Sequence, residues 1–150
     1  MSETKGRLLG IDYGRVRIGL AVSDQDRIIA SPVATYTRKS EVEDAVYFAK
    51  HIAELQAVAI VVGLPLHSDG SESEISREAR SFGEWLTLST RLPVIFWDER
   101  FTSDRAEEAL LGANMSPRDR KARRDRVAAQ MILQAYLEAG CPIERMKDEG

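Results

Sequence analysis

One cysteine in 150 residues, Cys141, rules out an internal disulfide. The chain must hold itself together by its core, and a reducing compartment, the cytoplasm, is expected. Histidine is scarce as well. His51 and His67 are the only two, with no partner at metal or triad spacing, so neither is assigned a catalytic role. Long apolar runs are missing too. The longest, Ala57 to Leu66, is broken by Gly63 and Pro65 and is too short to cross a bilayer, so no membrane is expected. The opening MSETKGRLLG lacks the apolar centre of a signal peptide. There is no repeat and no low-complexity linker, and a net charge of −3 advertises no polyanion partner for the chain as a whole.

What is present is one domain's worth of patterned sequence, 43% hydrophobic and 30% charged. A single domain over 1–150 is expected, with flexible tails at 1–6 and 143–150. Leu8–Tyr13, Ile18–Ser23 and Arg27–Tyr36 read as strands, and Pro32 marks an edge or a bulge in the third. Ser40 and Glu43 form a capping-box pattern ahead of Val42, Ala45, Val46, Ala49, Ile52 and Ala53 at helical spacing. AVAIVVGLP is apolar on both faces, as in a covered sheet. Ser71 with Glu74 offers a second capping box, and a helix from about Ser73 to Leu88 carries Ile75, Ala79, Phe82 and Leu86 on one face. PVIFWDE is a further buried strand. Thr102 caps a helix with Ala106, Ala109 and Leu110, and a last helix covers roughly Arg120 to Ala139. The order βββαβαβαα predicts an α/β fold: a mixed five-stranded sheet, its later strands parallel, with helices on both faces.

In that layout three acidic positions can converge. Asp12 ends the first strand, Asp98 and Glu99 end the last, and Asp125 stands at the head of an inward stripe of Ala129, Ile132 and Tyr136. Ligand sites of such sheets gather at the carboxyl ends of strands. Clustered carboxylates repel one another unless a hard cation shares the site, which points to Mg²⁺ or Mn²⁺. Two such ions about 4 Å apart activate water against a phosphodiester. Each acid also has a local explanation. Asp12 can accept backbone N–H groups in the turn, Asp98 or Glu99 can pair with Arg100, and Asp125 can oppose its arginine neighbours. The three together favour a site.

RDRKARRDR, Arg118 to Arg126, sets six basic residues against two acids, a local +4 around Asp125. Arg118, Arg120, Lys121, Arg123, Arg124 and Arg126, with Arg15 and Arg17 of the first hairpin, are candidate phosphate contacts. Such contacts supply affinity with little sequence choice. The polar loop GLPLHSDGSES beside the strand ends is placed to touch substrate.

GIDYGRVRIGLAVSD, VVGLPLHSDGSES, DERFTSDRAEEALL and RRDRVAAQMILQAYLE, in that order, resemble the YqgF/RuvX family of Holliday junction resolvase-like nucleases, from about Arg7 to Ala139. The resemblance implies an RNase H-like fold and metal-dependent phosphodiester hydrolysis, with Asp12, Glu99 and Asp125 as catalytic metal ligands. Asp98 is the alternative to Glu99, since strand register decides which side chain faces the site. It also implies a nucleic acid partner. One candidate is a precursor of the small-subunit ribosomal RNA, matured at its 5′ end. The other is branched DNA, whose symmetric cutting needs a homodimer rather than a monomer. Two positions depart from the family pattern: Arg124 stands where an apolar residue is usual, and His67 where asparagine is common. Two other classes fit parts of the chain. The first hairpin resembles the phosphate-binding turn of actin-like ATPases, and the basic segment alone would suit a non-catalytic RNA-binding assembly factor.

Overall fold

The apolar run that begins at Leu8 forms the middle of a sheet in the computed structural model, which describes residues 5–102 and 116–142. β1 (Arg7–Asp12) pairs antiparallel with β2 (Arg17–Ser23), and β2 with β3 (Ala30–Thr37). α1 (Glu41–Leu55) then leads to β4 (Ala57–Leu64), parallel to β1. α2 (Glu74–Thr90) leads to β5 (Val94–Asp98), parallel to β4. A 3₁₀ turn over Glu99–Phe101 follows, and α3 (Pro117–Glu138) closes the fold. The strand order is β3-β2-β1-β4-β5, so the strand ending in Asp12 is central. The mixed five-stranded sheet and the order of the described elements agree with the sequence reading. The helix expected after Thr102 lies outside the described residues.

Alternation sorts each strand between two faces. Leu9, Ile11, Ile18, Leu20, Ile60, Val62 and Leu64 pack with Phe48 of α1 and with Ala79, Phe82 and Leu86 of α2. Leu8, Ala21, Ala59 and Val61 pack with Ala129, Leu133, Tyr136 and Leu137 of α3. β4 is buried along nearly its whole length, as a strand covered on both sides must be. At Pro32 the β2–β3 register slips between Leu20 and Ala21, so the proline sits at a bulge on an edge strand.

Three local expectations need correction. Val42 and Val46 do not form the buried stripe of α1; they are 74% and 64% exposed. The inward stripe is Asp44–Phe48, because the buried carboxylate of Asp44 accepts from Tyr36 Oη at 2.6 Å and from the Lys39 N–H at 2.9 Å. Paired in this way, an acid can occupy a core position. α2 is capped by Ser73, not Ser71: Ser73 and Ser76 exchange side chain-to-backbone bonds of 3.0 and 2.8 Å. α3 begins at Pro117, earlier than Arg120, with proline at the first position where its missing N–H costs nothing. Of the first six residues, Lys5 and Gly6 are described, and both carbonyls accept from Arg27. No helix among the described residues is long and apolar enough to cross a membrane.

Candidate active site

Asp12 follows Leu8 and Gly10 by even steps along β1, so it shares their side of the sheet, the α3 side. Register then decides its neighbours. Asp12 pairs with Gly19 of β2, and the pairing of Ile11 with Val62 sets Gly63 of β4 level with Asp12 on the other side. A glycine therefore flanks the carboxylate on both adjoining strands.

Neither glycine can be replaced without displacing something. A Cβ at Gly19 would lie 1.8 Å from the carbonyl oxygen of Asp125. One at Gly63 would lie 2.7 Å from both Glu99 Oε2 and Ile132 Cδ1. The missing side chains let α3 settle directly on β2 and let Glu99 lie across β4. The result is a cradle around the end of β1, walled by the backbone of Asp125 on one side and by Glu99 on the other. Glycine inside a strand signals this kind of close approach. Gly19 and Gly63 were not among the residues expected to matter, and that signal could have found them.

Asp98 and Glu99 part ways at the end of β5. Val94 and Phe96 pack toward α1 and α2, and Ile95 and Trp97 toward α3. Asp98 continues on the α1/α2 side. It caps the 3₁₀ turn by accepting from the Arg100 N–H at 2.9 Å and pairs with Arg100 Nη2 at 2.6 Å. The side-chain bond from Arg100 holds the Asp98 carboxyl below its ordinary range. Arg100 Nη1 also donates to the Ser68 carbonyl, tying the polar loop after β4 to the end of β5. Glu99 takes the α3 side, over Gly63.

Asp125 lies two turns into α3, and its side chain is 21% exposed. Its Oδ2 accepts from Arg17 Nε at 2.8 Å. Arg17 is two residues before Gly19, on the same face at the same end of the sheet. Asp12, Glu99 and Asp125 therefore lie on the same face toward one end of the sheet, and Asp98 lies on the other face. Among the described residues no three of the His, Cys, Asp and Glu side chains stand close enough together to hold a metal ion as they are arranged.

The expected basic contacts separate as well. Arg15 forks onto Glu78 of α2 at 2.8 Å, and the phenol of Tyr13 donates to the same carboxylate at 3.3 Å. The guanidinium keeps the Glu78 carboxyl below its ordinary range. Glu78, not expected to matter, pins the β1–β2 hairpin on the side away from α3. Arg118 and Arg124 are exposed on α3, and Arg126 is half-buried. The side chains of Arg120, Lys121 and Arg123 lie outside the described ones. Burial pushes the Cys141 thiol up, in keeping with an inert cysteine.

A family model described as a Holliday junction resolvase, RuvX, matches residues 6–139. The chain belongs to the RuvX family. Among its relatives in that family, a protein of Rhodopirellula baltica named "Putative pre-16S rRNA nuclease" is 43% identical over 134 residues, 89% of this chain and 78% of the relative. One of the same name from Koribacter versatilis is 43% identical over 137 residues, 91% of this chain and 90% of the relative. Two solved structures share the fold of this RuvX-family chain. The RuvC of T. thermophilus in complex with a Holliday junction matches with a TM-score of 0.56 at 15% identity, over 90% of this chain and 96% of that one. The Fowlpox virus resolvase with its junction matches with a TM-score of 0.54 at 11% identity, over 91% and 99%. The RNase H-like architecture expected of the sequence is thereby established.

Proposed function

We propose that the chain is a divalent-metal-dependent nuclease of the cytoplasm that hydrolyses phosphodiester bonds in precursor 16S ribosomal RNA, trimming its 5′ end. The observation that carries this reading is the row Gly19–Asp12–Gly63, which brings Asp125 and Glu99 from distant parts of the chain to either side of one strand-end carboxylate. The names of the relatives from R. baltica and K. versatilis supply the substrate class.

An all-oxygen donor set in a glycine-walled cradle suits a hard divalent ion such as Mg²⁺ or Mn²⁺. Asp12, Glu99 and Asp125 would hold it. When bound, such an ion lowers the pKa of the attacking water and stabilises the leaving oxygen. The chain's own contribution is placement. Asp12 is fixed by a central strand paired on both sides, Glu99 by the turn that Asp98 caps, and Asp125 by a helix seated on Gly19. Arg118 and Arg124, exposed on α3, would contact backbone phosphates.

The test is cleavage of a pre-16S RNA fragment and of a four-way DNA junction in Mg²⁺, Mn²⁺ or EDTA, with the wild type and Asp12→Asn. The expected result is RNA trimming that needs metal and falls about 10³-fold in Asp12→Asn. Symmetric cutting of the junction, with RNA left intact, would replace the ribosomal reading with that of a recombination resolvase acting as a two-fold dimer. RNA binding without cleavage under any condition would leave an assembly factor.

A further inference from the structure

Asp125 already has a cationic partner on one carboxylate oxygen, one that competes with a metal ion for its charge. Arg17 Nε donates to its Oδ2 at 2.8 Å, and both side chains are partly shielded. The backbone of Asp125 lies directly against Gly19, so exchange at this carboxylate is a movement of the Arg17 and Asp125 side chains. Arg17 lies at the mouth of the cradle, on a strand start next to the hairpin turn. A guanidinium there is matched to two anions, the carboxylate and a phosphate, and binds phosphate oxygens in a fork.

We propose that Arg17 is a built-in counter-ion that occupies Asp125 in the free protein and passes to a phosphate of the nucleic acid when substrate arrives, releasing Asp125 to the metal. This rests on the metal-site reading above. The exchange breaks one ion pair and makes two, Arg17 with phosphate and Asp125 with the divalent cation, so substrate and metal favour each other's binding. The free protein then holds metal weakly, and the ligand set completes itself on nucleic acid.

Two equilibrium measurements on the full chain test this without cleavage. The first is Mn²⁺ affinity without nucleic acid, followed by electron paramagnetic resonance. Arg17→Gln should bind Mn²⁺ about fivefold more tightly than wild type. Arg15→Gln removes the same charge from the same hairpin but releases Glu78, so it should change the affinity much less. Arg17→Lys, with a shorter reach and no planar fork, should fall between wild type and Arg17→Gln. It also serves if the glutamine variant does not fold.

The second is binding of a fluorescein-labelled RNA duplex in EDTA, followed by anisotropy. Asp125→Asn frees Arg17 and should tighten binding about threefold, more than Glu99→Gln does. The gain should vanish when Arg17→Gln is added. Equal tightening of Mn²⁺ by Arg15→Gln and Arg17→Gln would reduce the effect to general charge and overturn the exchange. Mn²⁺ affinity unchanged or weakened in Arg17→Gln, with binding still lost in Asp125→Asn, would make Arg17 a fixed orienting partner and also overturn it. Mn²⁺ affinity untouched by Asp125→Asn and Asp12→Asn alike would remove the metal site, and the exchange with it.

Discussion

The two faces of one sheet are built from different materials. Toward α1 and α2 the space is filled by rings: Phe48 and Phe82 meet edge to face at 5.8 Å, Phe82 and Trp85 lie at 5.5 Å, and Tyr36 stacks on Tyr47. Toward α3 the strands present Gly10, Gly19, Ala21, Ala59 and Gly63 among larger residues, the helix answers with Ala129 and Leu133, and Trp97 meets Tyr136 edge to face at 5.7 Å. Large rings hold helices at a distance and bury much apolar area. Small residues let a helix backbone touch the sheet. Acids behave differently on the two sides. Asp44, on the aromatic side, is consumed by Tyr36, the Lys39 N–H and, at 3.7 Å, Arg38. On the α3 side Asp12 ends β1 between Gly19 and Gly63, where the backbone of Asp125 and the side chain of Glu99 approach the neighbouring strands. One face is specialised for cohesion; the other trades volume for precise placement of charge.

The sharpest way to break that division is to exchange the neighbours Asp98 and Glu99, which fall on opposite sides. Glu99→Gln should lower metal-dependent cleavage by about 10²- to 10³-fold, whereas Asp98→Asn should stay within about fivefold. Equal losses in a cleavage assay would erase the distinction between the faces. Phe48→Ala should cost about 3 to 5 kcal/mol in urea unfolding, as a ring removed from a filled core does. The Mn²⁺ affinity of the remaining folded protein should not change. Gly63→Ala should reverse the balance. It should cost about 1 to 3 kcal/mol through overpacking against Ile132 and cut cleavage about tenfold or more, because Glu99 must shift. Unimpaired cleavage in a folded Gly63→Ala would mean the cradle tolerates a methyl group and Glu99 is not held by it.

The smallest effect concerns pH. Arg100 lowers the Asp98 carboxyl from its ordinary 3.8. The stabilisation is therefore complete above that value and is lost as pH falls through the lowered one. Wild type should lose more stability than Asp98→Asn on acidification below pH 3.8, by less than about 1 kcal/mol, measured as the shift of the urea midpoint.

Much of this was legible in the chain. Runs such as AVAIVVGLP, bounded by Gly and Pro, announced buried strands, and the alternation of strands with helical patterns required parallel crossovers. The stripe from Asp125 through Ala129, Ile132 and Tyr136 does face inward, and its three apolar members are buried. Ser40 does cap α1, accepting from the Glu43 N–H. The failures are equally specific. Val42 and Val46 matched the helical period as well as Phe48 did, and periodicity does not say which of two stripes meets the sheet. Asp44 was overlooked because an acid reads as an outward residue until its partner, Tyr36 of β3, is known.

The sequence by itself determined the five strands, the helices among the described residues, their order and the presence of an acid at the end of the first strand, because those follow from local periodicity and from the limits on how strands can be connected. Only the tertiary structure decided that Glu99 rather than Asp98 lies beside that acid, that Gly19 and Gly63 open the space around it, and that Arg17 holds Asp125. The physical reason is that strand register and helix approach are settled between residues as much as 108 positions apart, where a one-residue slip turns every side chain to the opposite face.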